Sequence, residues 1–332
     1  MKFRGLRDLN HWYGIRMYPS PRLRVTDRLH KDMLHHILTI VSVSTLVYLA
    51  LTVAELVTGK YKIRGIALND WVVDFGCYSL GKFAVPPITA FIAAALTVKL
   101  MPRYSHALAG VPVWAQFLAF VVFEDQAQYW WHRTCHTFPR LWPLHLAHHS
   151  APYMGIRMSS RNSFVYQILF PNHFTAAILV YLGFGETYVT YQIFKNIVTS
   201  SAHSELRWDA FLYRYKWLSP VAWVIERTIS TPATHFSHHA LNEGDGVGHY
   251  SGNFGNLLFF WDVLYGTALI SRKYPAAFGV PGDPRVGGRE PWYVQIFYPL
   301  FQPRGDVWVK PVAESALQSQ RPEPRSQHAA TT

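Results

Sequence analysis

Apolar residues come in long runs separated by short polar stretches, and the run lengths suit a membrane. Residues 34–57 are the first, long enough for the roughly 20 apolar positions that a helix needs to span a bilayer. Residues 71–100 follow, interrupted by Asp74, Lys82 and Pro86-Pro87. That stretch is long for one straight span and short for two, so a kinked, tilted helix and a tight hairpin both fit it. Residues 111–131 are apolar and aromatic and run directly into His132, as a span would whose last turns leave the membrane. Residues 164–183 and 187–202 are apolar again, broken between them. A hairpin that enters and returns to one side would carry His203 back toward the earlier histidines. The pattern predicts an all-α integral membrane bundle.

The polar stretches fill in the rest. Residues 1–33 are basic and read as a cytoplasmic tail, without the apolar core and cleavage site of a signal peptide. Residues 34–110 hold the first membrane helices, with His35 and His36 at the interface. Residues 111–274 form a separate region, and 275–332 a Pro- and Gly-rich extension ending in a polar, disordered tail. Residues 204–231 carry Trp208, Tyr213, Tyr215, Trp217 and Trp223, suiting a helix lying in the interface.

Composition supports a membrane protein. Half the residues are hydrophobic, 16% aromatic and only 15% charged, against about 25% charged in soluble domains. Mean hydropathy is only +0.03, so much of the chain also lies in water. The net charge of +11 fits anionic headgroups and the cytoplasmic excess of Lys and Arg. No clustered basic face or RNA-type motif points to nucleic acid. The two cysteines, Cys77 and Cys135, cannot make a disulfide framework. Cys135 lies between two histidines, but its place on the helix makes it a filler.

The candidate chemistry is imidazole. His132 and His136 are four residues apart. His145, His148 and His149 repeat the His-x-x-His-His spacing of His235, His238 and His239. Residues three and four apart share a helix face, so each group converges. Pro139 and Pro143 fold the chain between the first two groups. Imidazole does not select a metal by itself. One zinc needs three or four protein ligands, so this many histidines suits two ions. No His-Glu-x-x-His zinc-protease motif is present, and the Glu-x-x-His of soluble two-iron bundles is absent at these positions.

These residues resemble the histidine boxes of the fatty acid hydroxylase/sterol desaturase superfamily: His-Arg-Thr-Cys-His at 132–136, His-Leu-Ala-His-His at 145–149 and His-Phe-Ser-His-His at 235–239. Asn253-Phe254-Gly255 and Trp261-Asp262-Val263-Leu264-Tyr265-Gly266-Thr267 resemble the family's ending. The resemblance implies an O2-dependent two-iron membrane oxygenase, with the eight box histidines as ligands. A ninth ligand is implied between the second and third boxes, where His203 fits better than His173. The substrate implied is a lipid, hydroxylated at an unactivated C–H bond or, by the same site, desaturated. A membrane metal-binding or transport protein is the more distant alternative. Electrons would come from a separate NAD(P)H-linked carrier, since no carrier domain is recognisable.

Three further residues are candidates for supporting the ligands. Asp125 lies seven residues before His132 on the same helix face; it either orients a ligand histidine or ends the apolar run. Glu124 points elsewhere. Asp262 either orients a histidine or caps a turn. His249 sits in a Gly-rich loop near the third box. Val263 stands where Arg is common in the family, and the segment 150–158 departs from sterol-acting members. The expected setting is a bacterial inner membrane, with the histidines on the cytoplasmic side.

Overall fold

The computed structural model describes residues 21–280 and 290–302, with side chains from residue 38 onward. The expected tail before residue 21 and the tail after 302 lie outside the described residues. Those described are helical, with one isolated β-bridge between Ala240 and Phe278. Helix α1, Pro21–Val57, begins inside the stretch expected as tail. Among the described residues, three stretches are long and apolar enough to cross a membrane: Leu38–Val57, Leu68–Leu100 and Phe164–His203.

The second stretch does not fold back. Helix α2, Leu68–Ser79, passes through a π turn at Leu80–Ala84 into α3, Val85–Leu100. The prolines explain that turn. Pro86 and Pro87 lack the N–H groups that would bond the carbonyls of Lys82 and Phe83, so the helix widens there but continues. The hairpin expected as one option for 71–100 gives way to the bent helix.

The third stretch does fold back. Helices α7, Phe164–Ile168, and α8, Pro171–Leu179, lead through a second π segment to α9, Gly185–His203. Gly183 within it has φ 118°, a conformation open to glycine. Asn172 Nδ2 and Lys195 Nζ both bond Glu124 Oε1, at 2.9 and 2.8 Å. A straight helix would hold them about 35 Å apart. Apolarity alone makes Phe164–His203 one 40-residue stretch, but this shared carboxylate makes it two antiparallel arms. The tip packs on the 101–112 loop, where His106 N–H donates to Tyr181 O and Leu108 N–H to Leu182 O, each at 2.9 Å. A Cβ on Gly183 would come within 2.9 Å of Ala109.

Helices α4, Val113–Ala119, and α5, Gln126–Thr137, form one further run joined by a π segment at Phe120–Asp125. Its apolar half packs on both hairpin arms through Phe120, Leu179, Phe184 and Tyr191. It falls short of the three candidate spans in apolarity, because Glu124, Asp125 and three glutamines lie along it.

Charged side chains fasten these helices at the histidine end. Arg161, fully buried, donates to Ala147 O at 2.8 Å, Asp70 at 3.0 Å and Asp74 at 3.1 Å, tying the second box to α2. Glu55, near the end of α1, accepts from Ile156 N–H at 3.0 Å, Ser204 Oγ at 2.7 Å and Glu205 N–H at 3.0 Å. The C-terminal end of α1 therefore lies beside the end of α9 that carries His203.

Candidate metal centre

Four elements deliver the nine histidines. His132 and His136 stand one turn apart on α5. His145, His148 and His149 occupy α6, Trp142–His149, started by Pro143. His203 ends α9. His235 and His238 lie on α12, Pro232–His238, and His239 follows it; Thr231 and Thr234 close a capping box at its start. All nine are buried.

The rings gather in two adjoining groups. His132, His136, His145, His149 and His238 form one; His148, His203, His235 and His239 form the other. Within each, one nitrogen per residue lies within 4.8 Å of the rest. The groups interlock because His148 and His149, and His238 and His239, are chain neighbours facing different groups.

Hydrogen bonds fix which nitrogen faces inward. His132 Nδ1 donates to Phe254 O, His238 Nδ1 to Gly252 O and His203 Nδ1 to Thr199 O, each at 2.7 Å. A carbonyl only accepts, so each Nδ1 carries the proton and each neutral ring turns a lone pair inward at Nε2. Asn162 Oδ1 does the same for His145 Nδ1 at 2.7 Å. His132 Nε2 and His238 Nε2 then face each other at 3.0 Å, lone pair to lone pair. That repels unless a cation lies between them. His145 Nε2, His149 Nε2 and both ring nitrogens of His136 are buried without a hydrogen-bond partner. The donor set fits a pair of metal ions.

Electrostatics agree. Burial pushes His132 down to about 4. Burial first, and the neighbouring imidazoles second, hold His148, His149, His235 and His239 well below the usual histidine range. Rings that resist protonation keep their lone pairs for a metal.

The supporting residues differ from those expected. Asp125 accepts from Trp261 Nε1 at 2.9 Å and Leu258 N–H at 3.2 Å, and so joins α5 to the family-like ending without bonding a histidine. Asp262 also bonds no ring. It accepts from Phe254 N–H at 2.8 Å and Gly255 N–H at 2.6 Å, holding the loop whose Phe254 carbonyl meets His132. Burial raises its carboxyl to about 6. A Cβ on Gly255 would lie 2.6 Å from Leu258 O, so only glycine fits that loop. His249 pairs with Glu243 at 3.0 Å beside Gly252, whose carbonyl meets His238. His203 falls inside the second group; His173 lies outside both, on a cavity wall. Cys135 packs with Leu144 and Tyr166.

Sequence reasoning missed one charged group. Glu124 does point away from the histidines, but into a buried pair with Lys195, whose Nζ lies 2.8 and 2.7 Å from its oxygens. Tyr191 also donates to Glu124. The signal was available: a lysine within an apolar run that spans a bilayer demands a partner.

Below the histidines opens a cavity of about 730 Å³, reached by His132, His145, His148 and His203. One wall is apolar, with Ile40, Val41, Ala90, Ala94 and Val98. The lining along α9 is polar, with Gln192, Lys195, Asn196 and Thr199.

Fold and site together define a helical membrane protein with a buried, histidine-only double site over a lipid-sized cavity. Residues 117–267 match the fatty acid hydroxylase family model, in support of the fatty acid hydroxylase/sterol desaturase superfamily. An alkylglycerol monooxygenase of Danio rerio is 25% identical over 263 residues, covering 78% of this chain and 53% of the relative. One of Xenopus tropicalis is 23% identical over 257 residues, covering 75% and 51%. The chain spans about half the length of these curated relatives. No solved structure matches it.

Proposed function

We propose that this protein is an O2-dependent, two-iron membrane monooxygenase that hydroxylates an unactivated C–H bond of a lipid, and that residues 111–274 are its catalytic region. One observation carries the reading: two interlocked groups of neutral imidazoles open onto a cavity between apolar, membrane-length helices. His132, His136, His145, His149 and His238 would hold one ion, and His148, His203, His235 and His239 the other. Bound, reduced iron supplies activation of O2 for attack on a C–H bond.

The protein's own groups do the rest. Phe254, Gly252 and Thr199 carbonyls and Asn162 keep the inward nitrogens unprotonated. Trp142 and Phe254 pack on the His136 ring, at 5.0 and 5.3 Å between centroids, and exclude water. The cavity walls align the substrate chain beneath the histidines. A separate NAD(P)H-linked carrier would deliver electrons, and the histidine face would be cytoplasmic. The relatives are alkylglycerol monooxygenases, which makes alkylglycerols the first substrates to try.

The test is purified protein with lipid, reductant and isotopically labelled O2. Two irons per chain and one labelled oxygen in the product are expected, with His148→Ala losing activity by at least a hundredfold. Zinc as the sole bound metal, or turnover without O2, would overturn the reading. A double bond in place of a hydroxyl would make it a desaturase.

A further inference from the structure

Two lysines line the cavity. Lys195 is neutralised within the protein by Glu124. Lys82 is not: among the described residues, neither a hydrogen bond nor an ion pair engages its ammonium. It stands on the Leu68–Leu100 helix, 14 residues from one end and 18 from the other, about 21 and 27 Å along the axis. An ammonium on a helix of membrane length is costly to leave without a partner.

The π turn fixes where this lysine stands. Lys82 stands within it, and Gly81 beside it meets Gln167, whose Oε1 would lie 2.2 Å from a Cβ there. Gln167 Nε2 in turn donates to Asn162 O at 2.9 Å, and the Asn162 side chain supports His145. Lys82 is thereby strutted to the histidine end of the cavity. Beyond it on the same helix, Ala90, Ala94 and Val98 carry the apolar wall away from the histidines.

We propose that Lys82 is the anchor for an anionic group, carboxylate or phosphate, on a single-chain lipid lying in the cavity. The hydrocarbon follows Ala90, Ala94 and Val98, and the carbons next to the headgroup are those brought under the histidines. A charge left without a protein partner on the cavity wall gains one when the lipid enters. This rests on the oxygenase reading for what happens next, but the binding itself does not.

The experiment is displacement of a fluorescent long-chain fatty acid from the purified full-length protein in nonionic detergent. Three competitors of equal chain length are compared: a free fatty acid, an alkylglycerol phosphate and an uncharged alkylglycerol. At least tenfold tighter binding of one or both anionic competitors is expected, and the better of the two tells carboxylate from phosphate. Lys82→Gln should erase that preference while leaving the uncharged competitor unchanged, and Lys82→Arg should keep it. Equal binding of all three to the unaltered protein would overturn the proposal. So would Lys82→Gln weakening all three alike with Lys82→Arg behaving the same, which marks a packing role. Anion preference without labelled oxygen in any product would sink the oxygenase reading and leave the anchor standing.

Discussion

A hydrogen bond on the outer nitrogen of an imidazole decides what the inner nitrogen offers. Asn162 shows this for His145, at 2.7 Å. Replacing it with alanine leaves the ring free to rotate and to carry its proton on either nitrogen. Partners of this kind are worth about 10- to 100-fold in metal affinity. Asn162→Ala should lower iron affinity by that order, measured by competition with a chelator, with little change in thermal unfolding of the iron-free protein. The histidines themselves were legible because their spacing is helical. Their partners were not: three are backbone carbonyls, which no sequence spells. Asp125 and Asp262 were visible as carboxylates near the boxes, yet both bond backbone or indole N–H groups, so proximity along the chain pointed to the right loop and the wrong contact.

At the scale of elements, the hairpin of α8 and α9 depends on one charged pair inside it. Glu124 on the inner helix gathers Asn172 from one arm and Lys195 and Tyr191 from the other. Removing one member strands a buried charge, which costs about 3–5 kcal/mol, whereas replacing both avoids that penalty. Glu124→Gln and Lys195→Met should each lower the unfolding midpoint in detergent more than the double variant does. The hairpin was readable from its broken apolar run; the helix at Leu68–Leu100 was ambiguous, because proline pairs can end a helix or bend it. The structure chooses the bend, since the widened turn needs no donor from Pro86 or Pro87.

At the scale of the molecule, that bend sets the direction of every later pass. Glu55 places the C-terminal end of α1 at the histidine end, so residue 38 lies about 25 Å away along the helix. Leu68–Leu100 runs away from the histidines and residues 113–137 return to them. The start of the first span and the boxes therefore lie toward opposite ends of the bundle, although the tail before that span and the boxes are both expected in the cytoplasm. Tags placed at the N-terminus and after residue 105 should share one side of the membrane, and a tag after residue 245 should label from the other. All three labelling from one side would contradict this arrangement.

The interlocked grouping of the histidines also carries a consequence in time. By residue 149 the growing chain already holds four of the five rings of the first group, but only one of the four of the second. His203 adds one more to the second group, after the hairpin has turned. Neither group is complete until α12 has been made. A ribosome that has passed residue 149 has written most of one ion's cradle and almost none of its neighbour's. The first cradle thus stands one ring short for nearly a hundred residues while the second is still being gathered, and α12 closes both together, through His238 and His239.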